Sequence, residues 1–187
     1  VIATGTKGIT PARNFILNFF PDSEHIMMLD DDIESFCVMK IVQLKKILFE
    51  ITNLKEFLEQ GFDACEKVGA KLWGVQMCAM GMFMTRRMND DKFIIGTAMG
   101  IINNDLRFDE DLKLKEDYDF TLKNIDKFGR ALRFNFVTVK AAHYSNKGGC
   151  VDYRNDELEN DACEKLIAKY PRRVSRNIRR NNEIIIR

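Results

Sequence analysis

The run His25-Ile26-Met27-Met28-Leu29-Asp30-Asp31-Asp32-Ile33 decides the fold. His25 to Leu29 reads as a short central strand, and three consecutive aspartates follow its C-terminal end. In an open α/β sheet the ligand crevice lies outside the carboxyl ends of the strands, so these acids leave the core where such a crevice opens. Carboxylate oxygens suit a hard cation, Mg²⁺ or Mn²⁺, which keeps coordination positions for substrate phosphates. A solvated acidic turn or a helix N-cap is the competing reading of an Asp-rich tripeptide.

Outward from this strand, short apolar runs alternate with amphipathic stretches, the pattern of an α/β layer fold. Thr10 to Phe20 reads as a helix, with Thr10 as cap, Pro11 at the first helical position and Pro21-Asp22 as its end. Ile41 to Ile51 and Leu54 to Val68 read as two helices covering one sheet face; Asn53 and Glu56 open the second and Gly69 closes it. Leu72 to Met84 and Phe93 to Ile102 are strand-like. Asp117 to Phe128 is expected to be a helix with Tyr118, Leu122, Ile125 and Phe128 inward and Gly129 as terminator, followed by a strand over Leu132 to Val139. Trp73 and the many Met and Phe residues read as core.

Composition bounds the functional classes. With 187 residues and 45% hydrophobic content the chain can bury one sizeable core, so a single domain over 1–187 is expected. A formal net charge of +1 excludes a uniformly basic coat, so any nucleic-acid contact is local. Cys37, Cys65, Cys78, Cys150 and Cys163 form no C-x-x-C pair, which fits reduced thiols in a cytoplasmic or nuclear compartment, an infected bacterial cytoplasm included, and disfavours structural zinc. There is no membrane-length apolar run and no signal-peptide pattern, so the expectation is a soluble, non-secreted protein.

The order Gly8-Ile9-Thr10-Pro11-Ala12-Arg13-Asn14, Leu29-Asp30-Asp31-Asp32, Phe108-Asp109-Glu110 and Glu116-Asp117-Tyr118-Asp119-Phe120 resembles a glycosyltransferase of the GT-A fold. The Ala-Arg-Asn helix, the aspartate triplet and His143 followed by Asn146-Lys147-Gly148-Gly149 are most similar to the TET/JBP-associated glycosyltransferases, the group that includes the base J glucosyltransferase. The resemblance spans roughly residues 5 to 150. It implies a GT-A-type, Rossmann-like mixed sheet flanked by helices, and transfer of a hexose, glucose for preference, from a UDP-sugar to the hydroxymethyl group of a modified pyrimidine in DNA. Because such folds begin with further β/α units that hold the donor base, the N-terminal nucleotide-binding units are expected to be truncated here.

Chemistry assigns roles within that resemblance. A departing nucleoside diphosphate needs a divalent cation, Mn²⁺ or Mg²⁺, to neutralise its leaving oxygens. Strand alternation would put Asp30 and Asp32 on one face, Asp32 on the metal and Asp30 on the metal or the ribose, and point Asp31 elsewhere; Asp31 is a candidate donor ligand. His143 either completes the metal shell through a ring nitrogen or is a solvated or core histidine. Asp117 is the candidate base that takes the acceptor's proton, kept charged by the helix N-terminus. The alternative is that Glu116, Asp117 and Asp119 only cap their helix.

Arg13 and Asn14 are candidate donor ligands, or simply surface residues. Lys147, Gly148 and Gly149 form a candidate phosphate-binding turn, or an ordinary one. In the basic C-terminal segment 165–187, Arg172, Arg173, Arg176, Arg179 and Arg180 suit a phosphate-tracking surface for DNA, or a solvated helix. Three other functions use the same residues: a glycosyltransferase acting on protein or polysaccharide, a catalytically silent binding module, and a nucleotidyl or phosphoryl transferase. The last leaves Glu116-Asp117 unexplained.

Overall fold

The computed structural model describes residues 5–141, 155–180 and 182–186. In chain order these form α1 (Ile9–Phe19), β1 (His25–Leu29), β2 (Ile33–Val42), β3 (Lys45–Glu50), α2 (Leu54–Lys67), β4 (Leu72–Gln76), a 3-10 turn (Gly81–Phe83), β5 (Met88–Asn89), β6 (Ala98–Ile102), α3 (Glu116–Phe128), β7 (Leu132–Ala141), α4 (Asp156–Lys169), β8 (Val174–Arg176) and β9 (Ile184–Ile186). A curled sheet of seven strands runs β1-β6-β4-β7-β2-β3, with β5 paired to β7. β4 and β7 are parallel, and β6 runs antiparallel between β1 and β4. This mixed, helix-flanked sheet is Rossmann-like, the expected α/β class.

Strand alternation sends neighbouring side chains to opposite faces. On one face Trp73, Val75, Ala98 and Ile102 pack against Phe62 and Cys65 of α2. On the other, Ile26, Met28, Leu72, Met99 and Ile101 pack with Leu17 of α1 and Phe120 of α3. Trp73 is wholly enclosed because its neighbours lack side chains: a Cβ on Gly100 would stand 2.0 Å from its indole nitrogen and one on Gly61 2.5 Å from its ring.

The strand at His25–Leu29 and the Asn53 cap of α2, whose side chain accepts from Glu56 N–H at 3.2 Å, match the sequence reading. Gly129 ends α3 in the left-handed conformation, as expected. The helix expected over 41–51 is instead the β2–β3 hairpin, with Val42 paired to Lys45. Its turn residues, Gln43 and Leu44, both have positive φ, 48° and 63°. Hairpin turns of this kind normally carry Asn or Gly, so the sequence gives no turn signal, and β-branched Ile41, Val42 and Ile47 favour the strand. Among the described residues α2 is the helix that covers that sheet face.

The remaining differences are local. α1 opens two residues early with Gly8 as N-cap, and Thr10 donates its hydroxyl to Leu112 O at 3.4 Å instead of capping. β4 stops at Gln76 and β6 starts only at Ala98. Met77, Met80, Met82, Met88 and Phe83 lie at least half exposed, outside the core. α3 is packed on two sides, so Phe120 and Leu122 are the fully buried pair while Tyr118, Ile125 and Phe128 are half-buried.

The C-terminal residues fold over α3 in place of a solvated tail. Cys163, Leu166, Val174 and Ile184 enclose Leu112 and Leu122. Asp119, fully buried, receives Tyr170 Oη at 2.8 Å, Lys169 Nζ at 2.7 Å and Lys123 Nζ at 2.9 Å. Cys37, Cys65, Cys78 and Cys163 are free thiols. Among the described residues no helix is long and apolar enough to cross a membrane.

Candidate active site

The aspartate triplet lies on the turn between β1 and β2, not on a strand. Asp30 N–H donates to Thr97 O at 3.0 Å, which fixes Asp30 against the entry to β6. Asp30 and Asp32 are part-buried and Asp31 is exposed; the separation of Asp31 from its neighbours follows from the turn rather than from pleating. Burial pushes the Asp30 carboxyl above its ordinary value, against the pull of Arg13 and the Thr97 hydroxyl.

Arg13 is the hub of the site and is almost wholly buried, which excludes the surface reading for it. Its Nη1 bonds Glu116 Oε1 at 2.8 Å, its Nη2 donates to Gly96 O at 2.8 Å and stands 3.6 Å from Asp30 Oδ1. The guanidinium also lies over the Phe108 ring, 5.4 Å from its centroid. One side chain of α1 thereby joins the β1 end, the loop before β6 and the start of α3. A Cβ on Gly96 would sit 2.8 Å from Nη2 of Arg13, so this close approach requires glycine.

Asp117 enters the same arrangement from α3. Its Oδ2 accepts Gly96 N–H at 2.9 Å and its Oδ1 accepts Tyr118 N–H at 2.9 Å. The helix N-terminus was expected to hold this carboxyl charged; instead burial, reinforced by the neighbouring Glu116, pushes it up to about 7 despite Gly96, Arg13 and Tyr118. A carboxyl titrating near neutrality exchanges protons readily in either direction. The first-turn acids do more than cap: Lys115 at the N-cap has no side-chain capping bond, Glu116 binds Arg13, and Asp119 anchors Tyr170 and Lys169.

Asn14 is buried like Arg13 and serves the Phe108-Asp109-Glu110 segment. Its Oδ1 accepts Phe108 N–H at 2.8 Å, and its Nδ2 donates to Phe108 O at 3.0 Å and Glu110 at 2.9 Å. Sequence reasoning missed Glu116, Gly96 and Thr97. A glycine before a strand and an acid beside the chosen base were visible, but only the fold puts all three on Arg13 and Asp30.

In the C-terminal segment Arg173 pairs with Asp126 at 2.7 Å, Arg176 with Asn160 at 2.9 Å and Glu164 at 3.6 Å, and Arg180 with Glu183 at 3.0 Å. Arg172 and Arg179 are exposed. His143, Asn146, Lys147, Gly148 and Gly149 lie outside the described residues. Among the described residues no group of three or more His, Cys, Asp or Glu side chains is arranged to hold a metal by itself.

A groove of about 590 Å³ runs between α1 and β1 and ends at Arg13 and Asp30, with Ile9, Ala12, Ile16 and Met28 among its walls. A smaller recess of about 260 Å³ reaches Asp30 from the β2 side. Acids at the C-terminal end of a sheet strand beside two clefts lie where α/β domains bind their ligands. The family model of the TET-associated glycosyltransferases matches residues 3–149, and the chain belongs to that family. Membership makes it a glycosyltransferase associated with modified DNA bases. Comparison with curated proteins and with solved structures gave no match.

Proposed function

We propose that the protein transfers a hexose, glucose for preference, from a UDP-sugar to the hydroxymethyl group of a modified pyrimidine in DNA, with Mn²⁺ or Mg²⁺ bound at Asp30 and Asp32. The observation that carries the reading is the junction of Asp30 and Asp117 through Arg13, Glu116 and Gly96. It brings a carboxylate suited to a cation and a carboxyl suited to proton transfer into one site, as displacement at an anomeric carbon needs.

An all-oxygen donor set of two part-buried carboxylates fits a cation of the Mg²⁺ class, which takes its remaining ligands from phosphate and water. Bound there, such a cation would neutralise charge on the departing diphosphate. Asp117 takes the acceptor hydroxyl's proton as that oxygen attacks. Gly96 N–H and Arg13 keep the Asp117 and Glu116 carboxyls in position, and the buried guanidinium holds Asp30 against Thr97. Asp31, Lys147, Gly148 and Gly149 are assigned to the donor and His143 to the metal; Arg13 serves the donor from the wall of the groove, and Asn14 through the Phe108–Glu110 segment that it holds.

The test is mass spectrometry of hydroxymethylated DNA incubated with the protein, Mn²⁺ and a panel of sugar nucleotides, alongside Asp32→Ala. The expected result is a hexose-sized mass increase that Asp32→Ala abolishes, together with metal-dependent UDP binding. Calorimetric UDP binding with unchanged Mn²⁺ dependence in Asp32→Ala would overturn the metal assignment, and no mass change with any donor would overturn the activity.

A further inference from the structure

A second cavity of about 590 Å³ is walled by Tyr118, Leu122 and Ile125 of α3 and shares no lining residue with the groove that ends at Asp30. Its wall begins one residue past Asp117, at Tyr118, whose ring stacks on Phe93 with centroids 3.8 Å apart. Arg133 of β7 and Arg173 of the C-terminal module close the other end, with Ile184 and Ile186 of β9.

Arg133 is the informative member. It is part-buried, and its hydrogen-bond partners are neutral oxygens: Asn135 Oδ1 at 2.8 Å and Phe93 O at 3.3 Å. Among the described residues no carboxylate lies within ion-pair distance of it. Asp91, the nearby acid, binds Lys92 instead at 3.2 Å, and Arg173 is held by Asp126. A guanidinium taken partly out of water with no bonded carboxylate, only the longer-range attraction of Asp91 in the same cavity wall, is costly, and desolvation accordingly pulls the Arg133 pKa down. An anion in the cavity would relieve that cost. A phosphate matches the guanidinium fork, and the flat aromatic pair matches a base.

We propose that this cavity takes one nucleotide of the acceptor strand, its base against the Phe93–Tyr118 pair and its phosphate on Arg133 and Arg173. The inference rests on the reading of DNA as acceptor and deepens it. Enzymes that act on a base draw it out of the stack into such a pocket; the wall of this one includes Tyr118, next in sequence to the proposed base, and no residue of the aspartate turn, which assigns it to the acceptor and not the donor. It also gives the C-terminal module, which lies outside the family match, a part in recognition.

The test measures binding without requiring turnover. Anisotropy of an oligonucleotide carrying one 5-hydroxymethylcytosine is titrated with the full chain and with Arg133→Gln, Arg133→Lys and Phe93→Leu, while UDP affinity with Mn²⁺ is followed by calorimetry. Arg133→Gln should weaken DNA binding about tenfold and lower the slope of log affinity against log salt by about one, with UDP unaffected. Arg133→Lys should restore the slope. Phe93→Leu, which keeps apolar volume but loses the flat face, should weaken binding about tenfold at an unchanged slope.

UDP affinity falling while DNA binding holds would hand the cavity to the donor and overturn the proposal, as would no change in either. If Arg133→Gln fails to fold, the Lys and Leu variants decide alone. Transfer at wild-type KM by Arg133→Gln would sink this inference and leave the enzyme reading intact. DNA binding through Arg133 in a protein that transfers no sugar would do the reverse.

Discussion

Replacing Asp117 by Asn separates catalysis from helix capping, because Asn caps a helix about as well as Asp but cannot act as a base. Asn keeps an oxygen to accept Gly96 N–H but cannot take a proton. As a general base Asp117 should account for about 10²-fold or more in turnover, with donor binding nearly unchanged. Its carboxyl sits at about 7 in the fold against an ordinary 3.8. The folded state therefore binds more protons than the unfolded state between those values, and stability falls as pH rises through that window. At about 1.4 kcal/mol per pH unit the cost of ionising Asp117 inside the fold is bounded at about 4 kcal/mol, reached above pH 7.

Asp117→Asn removes that cost. Relative to wild type the variant should gain stability between pH 5 and pH 8.5, by about 2–4 °C in Tm for each kcal/mol recovered. A capping role alone predicts little loss of rate, since Asn caps a helix about as well as Asp. The measurements are UDP release with hydroxymethylated DNA as acceptor, and circular-dichroism melts at the two pH values. Wild-type kcat/KM should also climb with pH along a limb near 7. Undiminished turnover in the variant would refute the role of Asp117.

Arg13→Gln leaves the buried Glu116 and the half-buried Asp30 without their cation and should destabilise by about 3–5 kcal/mol; a melting curve within a degree of wild type would show that the hub is dispensable. Gly100→Ala drives a methyl into the Trp73 indole at 2.0 Å and should cost at least about 3 kcal/mol in denaturant titration. Replacing the exposed Arg172 and Arg179 by Gln should lower the salt slope of duplex binding by up to about two if both track phosphate, with no loss of transfer to a hydroxymethylated nucleoside; an unchanged slope removes them from the DNA surface.

Much of the frame was legible without coordinates because its signals are local. An apolar run ending in acids, an Asn53–Glu56 cap and a terminal Gly129 each act within a few residues, and the motif order carried the family. The β2–β3 hairpin was not legible, since Gln43 and Leu44 adopt left-handed angles that strand pairing imposes and their side chains do not advertise. The C-terminal fold was hidden by its charge: its arginines read as a phosphate surface, while the side chains that dock it, Leu166, Val174 and Ile184, are too few and too widely spaced to show a period.

At the site, sequence alone supplied the residue types, aspartates at the end of β1 and at the start of α3. What only the tertiary structure decided is how they work together. A buried arginine takes its character from partners on other elements, so neither the tie from Arg13 to Glu116, Gly96 and Asp30 nor the raised Asp117 carboxyl follows from local spacing. Burial reversed the expected effect of the helix N-terminus because desolvation depends on what the rest of the chain places around a group, and that is a property of packing.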